Sequence, residues 1–352
     1  AALMSGQYGA RTGVYTVGNI NRFNWRTRPL RPADNVENLP LDKRTVADTL
    51  RGAGYATGMF GKWHLGEKPE YHPSRRGFDE AVTVSTNDHF RFTTDPPGPV
   101  PDGVYQSDHI TDLSIDFIRR RKDKPFFLYV ALTAVHSPFQ APEEDIAYFR
   151  AKGKGKKGAN PVYAAMVRAV DRSVGRLRET LKEQGIAENT VVWFQSDNGG
   201  LGGYKREKIQ SREVTDNGLL RGGKGMLTDG GTRVPLIVHW PGNTRPKTVC
   251  ETPGIHVDVL PTFAEIAGAR LPEQPVDGRS AVPELRDPRG KRPPRPIFQH
   301  FPGYLGGEAG DTWRTTPVGT IEYDGWKLLE FFEDGRRELY HIDADPGETK
   351  EL

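Results

Sequence analysis

Short apolar runs alternate along this chain with longer segments in which apolar residues recur every three or four positions. Continuous runs are typical of strands buried in a sheet, and the wider spacing is typical of helices that pack by one face. The runs predict three buried strands, Tyr55–Phe60, Phe126–Leu132 and Thr190–Phe194, and a fourth strand over Val234–His239. The spacing predicts helices from Ser107 onward, over residues 161–184 and over about 257–267. This alternation favours a layered α/β sheet with helices on both faces.

The last part of the chain has a different pattern. Residues 270–296 hold seven prolines and many charges, which is typical of a linker. After it come short alternating segments that predict antiparallel strands: Thr320–Tyr323, Trp326–Leu329 and Glu338–Ile342. We therefore expect residues 1–285 to form a large α/β domain and residues 286–352 a smaller domain with an antiparallel sheet. Three segments without a sustained period are predicted to be loops: residues 15–41, residues 67–105 and the basic stretch Lys152–Gly158.

The composition narrows the class of function. The 352 residues are 36% hydrophobic and 27% charged, as in soluble globular proteins. A net charge of only +3 does not indicate electrostatic attraction to nucleic acid. No apolar run reaches the length of a membrane span. The single cysteine, Cys250, excludes an intrachain disulfide and a cysteine-rich metal cluster.

Polar residues follow three of the predicted strands, at the ends where open α/β sheets place their ligands. Lys62 and His64 follow the first strand, and His136 follows the second. Asp197 and Asn198 follow the third strand, at a Gly-Gly turn. Each group alone also fits an ordinary strand end or turn. Together they predict one pocket at the carboxyl edge of the sheet.

The chemistry of these residues indicates an oxyanion site. Lysine offers a fixed positive charge, histidine transfers protons near neutral pH, and adjacent Asp and Asn oxygens suit Ca²⁺ or Mg²⁺. Lys224 adds a second lysine in a glycine-rich loop. Gly218–Lys224 also fits the pattern G-x-x-x-x-G-K, but Gly225 stands where a nucleotide loop has Ser or Thr, and no apolar strand precedes it. We therefore expect a pocket that binds a tetrahedral oxyanion and protonates a leaving oxygen.

These motifs resemble those of the sulfatases of the alkaline-phosphatase superfamily. The resemblance covers nearly the whole chain, in the order found in the family. It rests on these segments: Gly61–Gly66, His136–Pro138, Ser196–Gly200, Arg221–Gly225, Gly230–Pro235, Glu338–Tyr340 and Asp345–Glu348. The fold that the resemblance implies is an alkaline-phosphatase-like α/β/α sheet with a smaller C-terminal antiparallel sheet.

The resemblance also implies a role for each residue of the pocket. Lys62 and Lys224 would hold the sulfate, and Asp197 and Asn198 would supply half of the ligands of a Ca²⁺ ion. The nucleophile of the family is a formylglycine made from the motif C/S-x-P-S-R. His64 would contact its hydrate and help to expel sulfate, and His136 would protonate the leaving alcohol.

The formylglycine motif itself is not found in this sequence. Ala1–Tyr8 is similar to the helix that follows the motif, so the nucleophile and two further Ca²⁺ ligands are expected upstream of residue 1. Cys250 lacks the Pro-Ser-Arg that would let it replace the nucleophile. We therefore expect the 352 residues alone to be inactive and to bind calcium weakly.

The expected activity is that of a sulfuric ester hydrolase of the arylsulfatase type. The resemblance favours a sulfated carbohydrate as substrate and a periplasmic or secreted location, without nucleic-acid or membrane partners. Two alternatives remain: a phosphodiesterase or phosphonate hydrolase of the same superfamily, and a non-catalytic protein that binds sulfated glycans. Candidate substrate contacts lie in loops or at the ends of elements: His72, Arg75, Asn87, His89 and His300.

Overall fold

The computed structural model describes residues 1–153, 160–210, 213–290, 292–307 and 312–352. Most of the predicted basic loop, residues 154–158, lies outside these ranges. The α-helices are α1 Ala2–Ser5, α2 Gly9–Thr12, α3 Val46–Gly52, α4 Gln106–Arg121, α5 Glu143–Ala151, α6 Pro161–Glu183, α7 Asp229–Thr232, α8 Val259–Ala267 and α9 Val282–Arg286. The strands are β1 Ala56–Gly61, β2 Glu80–Val84, β3 Thr94–Asp95, β4 Phe126–Ala131, β5 Val192–Gln195, β6 Leu236–His239, β7 Ile297–Phe301, β8 Leu305–Gly306, β9 Trp313–Thr315, β10 Val318–Tyr323, β11 Trp326–Phe331 and β12 Arg337–His341.

The first sheet has the strand order β3-β2-β1-β4, and β1 runs parallel to both β2 and β4. Side chains alternate between the faces of a strand, so the neighbours Met59 and Phe60 enter different cores. Met59 packs with residues of α3 and α8, and Phe60 packs with residues of α4. Helices therefore cover both faces of this sheet, as the pattern of apolar residues predicts.

Local sequence explains how two of these helices are placed. Thr45 and Asp48 form a capping box at the start of α3, in which each side chain accepts a hydrogen bond from the backbone N–H of the other residue. Helix α4 lies close over β1 at Gly58. A Cβ atom there would be 2.7 Å from the ring of Phe117, so the glycine permits the close contact. The capping box thus fixes where α3 begins, and Gly58 allows α4 to pack closely on β1.

A large cavity separates β4 from the two-stranded antiparallel sheet β5-β6. Residues of β4, β5 and helix α6 line it, and the side chains of β4 and β5 are half-exposed. In β6, Ile237 is 64% exposed. The prediction that β4 and β5 are buried was therefore wrong. An apolar run indicates that its side chains favour burial, but it does not show whether neighbouring elements cover them.

Segments predicted to be loops contain regular elements. Strand β2 lies within residues 67–105 and pairs with β1, and α9 lies within the predicted linker. Both elements have only five residues, and so short an element gives little periodic signal. Long-range contacts stabilise them: β2 through pairing with the first strand, and α9 through Glu284, which forms ion pairs with Arg279 and Arg292.

The C-terminal sheet has the order β12-β11-β10-β7, with every pair antiparallel. Asp324 and Gly325 both have positive φ in the turn between β10 and β11, as tight hairpins require. The core of this sheet contains Val318, Leu329 and Tyr340. The predicted fold class, a layered α/β sheet with a C-terminal antiparallel sheet, is confirmed. The division at residue 285 remains a proposal, and none of the described helices is both long and apolar enough to cross a membrane.

Candidate active site

All six side chains predicted to form the pocket line the same cavity of about 2740 Å³. They come from four separate segments of the chain: Lys62 and His64, His136, Asp197 and Asn198, and Lys224. The first of these segments follows β1, the next follows β4, and the Asp-Asn pair follows β5. The structure thus brings together residues that are up to 162 positions apart in sequence, from Lys62 to Lys224.

Lys62 and His64 are held at the end of β1 by contacts with β4. The backbone N–H of Lys62 donates to the carbonyl oxygen of Ala131 at 2.8 Å. Gly61 precedes it with φ of 118°, and a Cβ there would lie 2.1 Å from the same oxygen, so only glycine fits. Lys62 Nζ donates to Asn87 Oδ1 at 3.2 Å. Burial lowers the pKa of Lys62, and the nearby Asp197 carboxylate opposes that shift.

Hydrogen bonds fix the orientation of His136. Its Nδ1 lies 2.7 Å from the carbonyl oxygen of Ser137, so Nδ1 carries a proton and donates. This leaves Nε2 as the nitrogen available for proton transfer. Burial lowers the pKa of His136, and the positive charges of Lys224 and Lys62 lower it further. The pKa of His64 is also lowered, first by burial and then by Lys62.

His89 supports His136 from inside the protein. The sequence marks it as a possible substrate contact, but its side chain is completely buried and does not line the cavity. His89 Nε2 lies 2.9 Å from the carbonyl oxygen of His136. The His89 ring stacks on the ring of Tyr105, with 5.5 Å between the ring centres. Of the other candidate contacts, Asn87 and His300 line the cavity, whereas His72 and Arg75 are not among its lining residues.

The turn after Asn198 and the loop of Lys224 are joined through their backbones. Lys224 N donates to Gly200 O at 3.0 Å, and Gly199 N donates to Gly231 O at 2.9 Å. A Cβ on Gly199 would lie 1.8 Å from Gly230 O, so this close approach of the two backbones requires glycine at position 199. Burial lowers the pKa of Lys224, and Asp197 opposes the shift.

Among the cavity residues that were not predicted from the sequence, three have ionisable side chains close to the predicted ones: Arg22, His256 and Arg314. Arg22 and Arg314 add positive charge near Lys224, and both lower its pKa. His256 Nε2 lies 3.3 Å from Ser196 O, next to Asp197. None of the three belongs to a recognisable motif, so no sequence signal identifies them. They make the cavity more positive than the predicted residues alone.

Asp197 and Asn198 fit part of a calcium site. Ca²⁺ takes about six to eight oxygen ligands, and these two side chains supply carboxylate and amide oxygens at the wall of the cavity. The described residues include no group of three or more His, Cys, Asp or Glu side chains arranged to hold a metal. Asp197 and Asn198 are thus two candidate oxygen donors for a cation.

Comparison with known proteins identifies the family. A model of the family described as Sulfatase matches residues 1–269, and a model described as N-sulphoglucosamine sulphohydrolase, C-terminal, matches residues 223–352. The chain belongs to the sulfatase family. The sequence-based resemblance is thus confirmed, and sulfuric ester hydrolysis is the activity that characterises this family.

Curated sulfatases align with almost the whole chain. A sulfatase of Formosa agariphila is 33% identical, and the alignment covers 100% of this chain and 74% of the relative. The N-acetylgalactosamine-6-sulfatase of Sus scrofa is 30% identical over 99% of the chain. This chain spans 65% of the porcine enzyme.

Solved structures show the same fold. The crystal structure of Ps i-CgsB in complex with k-i-k-neocarrahexaose superposes with a TM-score of 0.79 and 27% identity. That superposition covers 100% of this sulfatase chain and 76% of the other chain. A phosphonate monoester hydrolase from Silicibacter pomeroyi also matches, with a TM-score of 0.60 and 18% identity over 97% of this chain and 78% of its own. At that identity the match shows a shared fold alone.

Proposed function

We propose that this chain forms the sulfate-binding and leaving-group side of a sulfatase active site that acts on a sulfated carbohydrate. The observation that carries the proposal is the convergence of Lys62, Lys224, His64 and His136 on one cavity. Two ammonium groups and two imidazoles match the needs of sulfate ester cleavage, which are neutralisation of the sulfate oxygens and proton transfer.

In this proposal the two lysines bind the sulfate group. Both are partly buried, so their charges act through a medium less polar than water and attract an anion more strongly. The hydrogen bond from Lys62 to Asn87 holds the first ammonium in place. The backbone contact with Gly200 holds the loop of the second. Both subsites are therefore formed before the substrate binds.

The histidines move protons. His136 protonates the leaving alcohol through Nε2, because its Nδ1 is occupied by Ser137. His64 acts on the side of the nucleophile, and its neighbour Lys62 favours the neutral imidazole by lowering its pKa. Formylglycine, when present, supplies the attacking oxygen in this family. Asp197 and Asn198 would hold Ca²⁺, which neutralises charge at the sulfate.

The substrate class is inferred from relatives and from the cavity. One relative is named for N-acetylgalactosamine 6-sulfate, and one structural neighbour was crystallised with a neocarrahexaose. Asn87 and His300 line the same cavity and offer hydrogen-bonding groups to a saccharide. A periplasmic or secreted location belongs to the same proposal.

Calorimetric titration of the 352-residue chain with N-acetylgalactosamine 6-sulfate tests the binding role. Charge-assisted hydrogen bonds are worth about 1.5–3 kcal/mol, so Lys62→Ala and Lys224→Ala should each weaken binding about 10- to 100-fold. Lys182→Ala is the matched control, because Lys182 is 74% exposed and does not line the cavity. Equal affinity for unsulfated N-acetylgalactosamine, or equal losses in all three variants, would contradict the proposal.

A further inference from the structure

A buried cluster of charges connects the C-terminal sheet to a short helix next to the site. Lys327 on β11 is only 1% exposed. Its Nζ lies 2.6 Å from Asp229 Oδ1 and 3.0 Å from Glu348 Oε1. Both carboxylates are buried as well. We call these three residues the Lys327 cluster.

The geometry of the Lys327 cluster leaves little freedom to Asp229. Glu348 Oε2 accepts the backbone N–H of Asp229 at 2.9 Å, so Glu348 binds both Lys327 and the first residue of α7. Arg233 approaches the second carboxylate oxygen of Asp229 at 3.7 Å. Buried charges are tolerated only with close partners, so movement of any member is costly. The start of α7 is thereby fixed to β11 and to the C-terminal tail.

Helix α7 in turn contacts both loops of the candidate site. Gly230 N donates to Arg221 O at 2.7 Å, three residues before Lys224. Gly231 O accepts the N–H of Gly199, next to Asn198. A Cβ on Gly230 would lie 2.1 Å from Gly222 O, which shows how closely these backbones pack. A shift of α7 must therefore move the Lys224 loop, the Asn198 turn, or both.

We propose that Lys327, Asp229 and Glu348 are positioning residues, through which the C-terminal sheet holds the Lys224 loop and the Asn198 turn in the geometry that binds sulfate. This inference rests on the proposed sulfate-binding role of Lys224. None of the three residues lines the cavity, so their effect on binding is transmitted through the backbone of α7. Arg221 provides a second attachment, because its guanidinium contacts Glu338 on β12 at 2.7 Å.

The test compares two Glu→Ala variants of the 352-residue chain. Glu348→Ala removes a member of the Lys327 cluster. Glu284→Ala removes a similarly buried carboxylate, which forms ion pairs with Arg279 and Arg292 away from the cavity. Supporting residues around a site typically contribute about 10- to 100-fold in affinity, so Glu348→Ala should weaken binding of inorganic sulfate at least tenfold. Glu284→Ala should leave the affinity for sulfate unchanged, although it should lower the thermal stability about as much as Glu348→Ala does.

Hydrogen exchange gives a second measurement that does not depend on sulfate. The amide protons of Gly199, Lys224 and Gly230 should exchange faster in Glu348→Ala and at the wild-type rate in Glu284→Ala. Glu348→Gln keeps an oxygen that can accept the Asp229 N–H, so it should restore both the affinity and the protection. If Glu348→Ala does not fold, the triple variant Asp229→Asn, Lys327→Met, Glu348→Leu keeps the buried volume and should show the same changes.

Two results would overturn the inference: unchanged exchange at the three amides in Glu348→Ala or the triple variant, or an equal loss of affinity in Glu284→Ala. Failure of the proposed function looks different. In that case the wild-type chain would not bind sulfate, or would bind it independently of Lys224, while the exchange pattern would still support positioning by the Lys327 cluster.

Discussion

Substitution of His136 separates leaving-group protonation from simple binding of the substrate. The structure indicates that His136→Ala leaves the surrounding backbone intact, because His89 contacts a backbone atom that alanine keeps. His89 donates to the carbonyl oxygen of residue 136, not to its imidazole. The change therefore removes the imidazole, with its Nε2 and with the hydrogen bond from Nδ1 to Ser137 O.

The expected loss depends on the leaving group. General acid catalysis is worth about 10²–10⁴-fold, which corresponds to about 2.7–5.4 kcal/mol of transition-state stabilisation. A sugar alcohol is a poor leaving group and needs this proton, whereas a nitrophenolate leaves readily without it. His136→Ala should therefore lower kcat/KM for N-acetylgalactosamine 6-sulfate by most of that factor and leave 4-nitrophenyl sulfate much less affected.

The assay measures kcat/KM for both esters in a form of the protein that carries the formylglycine nucleophile. Lys224→Ala is the control, because it should impair both esters alike, since both present the same sulfate. The pH profile adds a second signature. Burial holds the pKa of His136 below its ordinary 6.5, so the rate on the sugar sulfate should fall as pH rises through that lowered value, and His136→Ala should abolish this dependence. Equal losses on the two esters would refute the role of general acid.

Three further predictions follow from the sequence and the structure. The 352-residue chain should show no turnover of 4-nitrophenyl sulfate, since it lacks the nucleophile motif; measurable turnover by the pure chain would show that the nucleophile lies elsewhere. Burial lowers the pKa values of Lys62 and Lys224. Because only the protonated lysines bind the anion, the affinity for sulfate, measured by calorimetry, should already decline at a pH below the ordinary lysine value of 10.5. A constant affinity up to that pH would argue against either lysine as a ligand. Phe78 is 1% exposed and stacks on Phe127 at 6.0 Å, so Phe78→Ala should reduce the free energy of unfolding in urea by about 3–5 kcal/mol, whereas the exposed Phe332→Ala should have a small effect.

Much of the candidate site can be predicted from the sequence because its residues lie in short, nearly contiguous motifs. Lys62 and His136 follow the apolar runs of β1 and β4, and these parallel strands end at the same edge of a sheet. Asp197 also follows an apolar run, but its strand β5 belongs to a separate antiparallel sheet. Helix α6 illustrates the same point for the fold, since a long periodic segment predicts residues 161–184 and the structure has Pro161–Glu183. Local pattern is sufficient where the element is long or the motif is compact.

Other features depend on contacts that no local pattern records. The amino acids of β2 do not reveal that it pairs with β1, and the apolar run of β4 does not reveal that a cavity lies beside it. His89 and His136 are equally ordinary histidines in the sequence, yet one supports the backbone of the other. The sequence by itself indicated the family and the candidate site residues, through motifs that resemble those of known sulfatases. It also indicated the positions of the long elements, because these follow from spacing along the chain. Only the tertiary structure decided which polar groups are buried together, as in the Lys327 cluster, because burial depends on neighbours that are distant in sequence.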